Sequence, residues 1–290
     1  MGLVSSLSNA VSGLRTSQDS ITILSRNIAN SGTPGYHRQS LNIIDYSSIN
    51  STYARTEGVN RAFNQSLQTY YNRQVSDTSM SNVTGNYLSK LQGYLGKPGD
   101  AGSLDTMFGS FKNSLQALAT SPDDYSTRAN VVAEAQAMAR QLNSLSNSIQ
   151  QLRQETETRI SNDVSEVNAM LISLDEVNNR MLDLGMTDTA RAQLYDQRDR
   201  LVASVAEVID VQAEYRADGT VALMTRSGVG LLDNGFSTFK FTTAGALSAT
   251  SQTNVDTSQS KVGKLTLTTP SGLTIDLVQQ GVLQGGELAG

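Results

Sequence analysis

From Thr127 to Leu184 the chain runs without a proline, and its apolar residues return every three or four positions. They fall at Leu142, Leu145, Ile149 and Leu152, then at Ile160, Val164, Val167, Leu171, Leu174 and Met181. That spacing predicts one long helix with a narrow apolar seam and polar flanks. The phase slips once, around Thr156–Ile160, by a four where a three was due, the mark of a stutter that locally unwinds a supercoil. A rod of this length does not fit inside one small globule. Gly185 ends it, and a shorter helix carrying Leu194, Leu201, Val205 and Val208 is expected to fold back antiparallel onto it.

Composition agrees with an elongated molecule. Only 38% of the 290 residues are hydrophobic, 6% are aromatic and none is Trp. That is thin for a compact enzyme and suits a shape with much surface per residue. The length predicts two or three domains. The net charge is −5, with no Lys/Arg cluster of the kind a nucleic-acid surface needs. With no cysteine, disulfides, thiolate nucleophiles and Cys-ligated metals are excluded. No run approaches a membrane span. "MGLVSSLSNAVSG" has neither a basic n-region nor a continuous apolar core, so no ordinary signal peptide is expected.

The first segment carries a second seam: Val4, Leu7, Val11, Leu14, Ile21 and Ile28, with Gln18 and Ser25 at the skipped positions. This is a coiled-coil-like helix over about four heptads. Alone it is marginal in water and needs a partner, either its own domain or another copy. The stretch behind it, "NIANSGTPGYHRQ", reads as a rigid elbow. Gly32 is expected to close the helix in the left-handed conformation. Thr33 before Pro34 is pushed out of the helical region. Pro34-Gly35 suits the centre of a type II turn. Tyr36 is an amphipathic anchor, and Arg38 and Gln39 offer donors.

Between the elbow and the rod, helical spacing is read at Val59, Phe63, Leu67 and Tyr70, then Val83, Tyr87, Leu91 and Tyr94, and again from Leu104 to Leu118. Gly96-Lys97-Pro98-Gly99 separates the two. Ser121 is expected to cap the next helix, with Pro122 in its first turn and Asp123 and Asp124 at its positive end. At Asp210 the period changes from near 3.6 to 2. Hairpins are expected across Ala217-Asp218-Gly219 and Pro270-Ser271-Gly272. The expected fold is α+β: an N-terminal assembly helix and elbow at 1–40, a long antiparallel helical bundle at 41–209, and a β-rich domain at 210–290.

Little here asks for catalysis. His37 is the sole histidine and no His-x-x-x-His pair exists. Gly228-Val229-Gly230 lacks the spacing of a dinucleotide loop. The expectation is no enzyme, no cofactor and no metal. "LYDQRDRL", residues 194–201, is the densest charged cluster. Asp196 with Arg200 is an i,i+4 pair, and the cluster is either a solvated face or a buried network that sets helix register.

"ANSGTPGYHRQ" closely resembles the A-N-x-x-T-P-G-Y-x-R-Q signature of bacterial flagellar axial proteins. With the long helix, the "LYDQRDRL" segment and "VQAEYRADGTVALMTRSGVGLLDNG", the chain resembles the flagellar hook-associated protein 1 family, the first hook–filament junction proteins. The resemblance implies a structural protein that assembles in many copies into a tubular layer between hook and filament. It implies export through the flagellar type III apparatus, without a cleaved signal, to an extracellular place on the flagellum. The partners it implies are further copies of the chain, hook protein, the second junction protein on the flagellin side and the export apparatus. It assigns Asn30, Thr33, Pro34, Gly35, Tyr36, Arg38 and Gln39 to the assembly elbow, and Leu194, Asp196, Arg198 and Asp199 to fixing the helical domain. Members are usually longer, with returning C-terminal helices and an export-chaperone site, so a truncated product is expected. The competing readings are another axial protein of rod or hook, which would turn β-rich soon after the elbow, and a non-flagellar coiled-coil binding module.

Overall fold

A computed structural model describes residues 3–48, 51–254 and 259–290. Helix α1, Leu3–Ala29, is followed through the elbow by a two-stranded antiparallel ribbon, β1 Gln39–Ser48 and β2 Ser51–Arg61. Helices α2, Gln65–Leu95, α3, Leu104–Thr120, α4, Tyr125–Met181, and α5, Asp188–Val208, come next. A four-stranded antiparallel sheet then runs β3 Gln212–Tyr215, β4 Val221–Met224, β5 Gly230–Asp233 and β6 Gly235–Phe236. A three-stranded sheet, β7 Thr238–Thr242, β8 Lys264–Thr268 and β9 Thr274–Asp276, completes the α+β architecture.

Helix α4 is unbroken over 57 residues, about 85 Å at 1.5 Å per residue. Within the stretch Thr156–Ile160, Glu157 points inward. This carboxylate is buried and accepts from Gly263 N at 2.8 Å and Ala244 N at 3.2 Å. From Ile160 onward the seam is the core. Val164, Val167, Leu171 and Leu174 meet Val202, Val205 and Val208 of α5 and Leu223, Leu231, Phe239 and Leu267 of the two sheets in one cluster. The cluster crosses the boundary expected at 209/210. Two asparagines of α4 clamp the sheets by reciprocal bonds. Asn178 donates to Val221 O at 2.8 Å and accepts from Val221 N at 2.9 Å. Asn168 does the same for Phe239, at 2.8 Å both ways. Both expected hairpins form, with Gly219 at φ 92° and Gly272 at φ 86° in their turns.

Two local expectations fail. The strands β1 and β2 lie almost wholly inside the stretch expected to be helical, and α2 begins only at Gln65. Asn64 caps it by accepting from Leu67 N at 3.1 Å. Val59 therefore lies in β2 and Phe63 in the link to α2. The ribbon packs against α1, and this tertiary contact overrides a weak helical spacing. At α4 the cap is Asp124, which accepts from Ser126 N at 2.8 Å, whereas Ser121 ends α3. The acid wins because its carboxylate reaches both the backbone N–H and the hydroxyl of Ser126.

Candidate assembly interface

Helix α1 lies on the ribbon by its polar face. Ser12 Oγ donates to Ala54 O, and Thr56 Oγ1 donates to Asp19 Oδ2 at 3.0 Å. Thr16 and Ile23 are buried on the same face. Asn27 closes it, donating to Gln39 O at 2.8 Å while its Oδ1 accepts from Gln39 N at 2.9 Å and Tyr36 Oη at 2.8 Å. Positions 12, 16, 19, 23 and 27 form one stripe. Leu14 stands two residues from Ser12, about 200° around the helix, and so faces away from the ribbon. The apolar seam is accordingly outside: Leu7 is 64% exposed, Leu14 62%, Ile21 64% and Ile28 67%, against 6% for Ile23. Val11 is also exposed. The side chain of Val4 lies outside the described residues.

The elbow is built locally. Asn30 N and Nδ2 both donate to Arg26 O at 2.9 Å, and Thr33 N donates to Asn30 O at 2.9 Å. Tyr36 N donates to Thr33 O at 3.1 Å across Pro34-Gly35, with Gly35 at φ 72°, as a type II turn requires. Gly32 does not take the left-handed conformation expected of it. The helix instead ends in tight turns closed by Asn30, and the left-handed position passes to Gly35. Gln39 contributes backbone groups to Asn27, whereas its buried side-chain oxygen has no hydrogen-bond partner among the described residues. Arg38 is exposed, and its carbonyl accepts from Ala62 N at 2.9 Å. Burial and the nearby Asp196 charge raise the Tyr36 pKa, which keeps the phenol a proton donor to Asn27.

Below the elbow lies a buried ion network. Arg61, the last residue of β2, donates to Asp196 Oδ1 at 2.8 Å and to Asp199 Oδ2 at 2.5 Å. Asp199 Oδ1 also accepts from Arg198 Nε at 3.0 Å and Nη2 at 2.9 Å, and Arg198 Nη1 donates to Gly219 O at 2.6 Å. His37 Nδ1 is 3.2 Å from Asp196 Oδ1. Aromatic rings sheath the cations. The Arg61 guanidinium lies 4.7 Å from the Phe63 ring centre and 5.2 Å from that of Tyr195, and Arg198 lies 4.9 Å from Tyr195 and 4.6 Å from Tyr215. Burial, then the Asp199 charge, pushes the Tyr215 phenol up. Asp196 thus turns to Arg61 and His37 in place of the expected Arg200, whose stem lies against Gly35. Leu194 packs beside Val177 and Met181.

The elbow motif and the "LYDQRDRL" helix therefore meet in space. Sequence reasoning missed Arg61, Phe63 and Asn27. Arg61 lies 135 positions from Asp196 and had no local signal, whereas Asn27 opens the quoted motif and could have been found there. The paired Asp and Arg side chains are committed to one another. Among the described residues no group of three or more His, Cys, Asp or Glu side chains could hold a metal ion. No described helix is long and apolar enough to cross a membrane.

Residues 88–290 match the family model of the flagellar hook-associated protein FlgK helical domain. Flagellar hook-associated protein 1 of Bacillus subtilis is 28% identical over 235 residues, covering 77% of this chain and 46% of that protein. The Escherichia coli protein of the same name is 24% identical over 239 residues, covering 78% of this chain and 42% of that one. The chain thus spans less than half the length of these curated relatives. The solved structure of the flagellar hook junction protein FlgK from Burkholderia pseudomallei shares the fold. Its TM-score is 0.60 at 21% identity, over 78% of this chain and 38% of that one. With the family model matching most of its length, the chain belongs to the flagellar hook-associated protein FlgK family.

Proposed function

We propose that this chain is a structural, non-catalytic component of the bacterial flagellum, exported to the cell exterior, where copies assemble into the layer between hook and filament. The observation that carries this reading is the inverted docking of α1, held by the mostly polar stripe of Ser12, Thr16, Asp19, Ile23 and Asn27 while Leu7, Leu14, Ile21 and Ile28 stay in water. Full burial of each such side chain is worth about 1.5–3 kcal/mol, so the seam offers several kcal/mol to whatever covers it. Neighbouring copies and the hook and filament-side proteins are the partners the family supplies. The elbow residues Asn30, Thr33, Pro34, Gly35, Tyr36, Arg38 and Gln39 set the angle between seam and helical domain, and Leu194, Asp196, Arg198 and Asp199 hold that domain in register. The ribbon of β1 and β2 is the feature expected of a rod or hook protein, but the family match through 88–290 favours the junction.

The test replaces Leu14 and Ile21 together by Ser in the protein as the cell makes it. Filament attachment and motility should be lost while circular dichroism of the purified protein is unchanged. Normal motility would overturn the assembly reading.

A further inference from the structure

We propose that Arg61 is a positioning residue for assembly: its guanidinium keys the α1–ribbon unit onto α5 and thereby sets the direction in which the exposed seam points. The inference rests on the assembly reading above and names the residue that makes the seam directional.

Helix α1, the elbow and the ribbon form one unit, joined by the bonds of Ser12, Asp19 and Asn27 to the ribbon. That unit meets the rest of the protein chiefly where β2 crosses α5. Arg61 occupies the crossing. Its two terminal nitrogens reach two carboxylates that stand three residues apart on one face of α5. A planar fork bonded at both prongs fixes rotation as well as distance, which a single ammonium cannot do. The crossing is also dry: the side chains of Arg61, Asp196 and Asp199 are 7%, 5% and 1% exposed. A buried ion network is weak evidence for stability, but it tolerates little misalignment, because each displaced partner leaves a charge uncompensated away from water. The rings of Phe63 and Tyr195 flank the guanidinium and restrict it further. Through Asp199 the constraint continues to Arg198 and the Gly219 carbonyl, so the β3–β4 turn shares the same reference point.

The absence of cysteine makes orientation directly measurable. Ser17, exposed on α1, and Ala169, exposed on α4, are each replaced by Cys and spin-labelled. Pulsed electron–electron resonance then reads the distance distribution between them in this chain. Parallel swarming assays read incorporation of the same variants in cells. Two variants are compared with the parent: Arg61→Lys, which keeps the charge and loses the fork, and Arg61→Met, which keeps the stem. The parent should give one narrow distribution. Both variants should broaden or shift it and cut swarming at least tenfold, with helix content unchanged by circular dichroism. If Met at position 61 prevents folding, the Lys variant alone decides.

A narrow, unshifted distribution in Arg61→Lys would overturn the proposal, whether or not swarming falls. So would a broadened distribution with normal swarming. Failure of the assembly reading itself is recognised separately, because the Leu14/Ile21 double replacement would then also swarm normally.

Discussion

The docking of the elbow on α5 can be tested at a single hydrogen atom. A Cβ added to Gly35 would lie 2.4 Å from Arg200 Cγ and 3.1 Å from Cδ, against ordinary carbon contacts of about 3.5–4.0 Å. Gly35 also sits at φ 72°, where a side chain costs about 1–2 kcal/mol. Overpacking of this kind adds about 1–3 kcal/mol, and the stiffer unfolded chain of Ala returns about 0.5 kcal/mol. Gly35→Ala should therefore cost about 3 kcal/mol. In an Arg200→Ala background only the backbone share remains, about 1 kcal/mol, so the cycle should show a coupling of about 2 kcal/mol. Hydrogen exchange of the Gln39 and Ala62 amides reads this locally, since both are bonded within the elbow. Exchange should accelerate on the order of 150-fold for Gly35→Ala and about fivefold when Arg200 is already Ala. Equal acceleration in both backgrounds would refute the claim that the elbow rests on Arg200.

Other outcomes follow from the same geometry. Asn178→Ala strips Val221 of both backbone partners in a buried place, which should cost about 3 kcal/mol and lower Tm by roughly 6–12 °C in calorimetry; a fall under about 3 °C would count against the clamp. On α1, Ile23→Ala should speed amide exchange along the helix on the order of 30-fold, a loss of about 2 kcal/mol, whereas Leu14→Ala should leave the monomer within about 0.5 kcal/mol; the reverse order would mean the helix is docked by its other face. Burial, and then the charge of Glu287, raises the Asp163 carboxyl to about 6. Because the folded value lies above the unfolded one, this group favours the fold most below the ordinary carboxylate range, and that advantage drains away as pH rises to about 6. Asp163→Asn should therefore raise Tm at about pH 7.5 and leave it unchanged at about pH 3.5, as a two-pH thermal scan would reveal.

Several features were legible in local sequence. The rod, its seam from Ile160 to Met181, the antiparallel return and the two hairpins follow from a period or from a turn residue, and such signals act over a few positions. The Thr33–Tyr36 turn is of the same kind, since Pro34 fixes its own φ and Gly35 tolerates the left-handed angle that the next turn position requires. The ribbon was illegible because its strands are stabilised by lying under α1, a contact that no window of ten residues contains. Asp196 was read against Arg200, the nearest cation along its helix, and the chain supplied a better donor from 135 positions away.

What the sequence determined by itself is therefore periodicity and turn chemistry: where helices and hairpins lie, and that α1 has one greasy stripe and one polar stripe. Which stripe would face inward was decided only by the tertiary structure. Hydrophobic pattern says which residues are alike, but the ribbon beneath α1 presents the Ala54 carbonyl, the Thr56 hydroxyl and the backbone of Gln39, and it is these groups that Ser12, Asp19 and Asn27 satisfy. An apolar seam turned against that surface would have left them without partners, so the seam stays in water until another surface covers it.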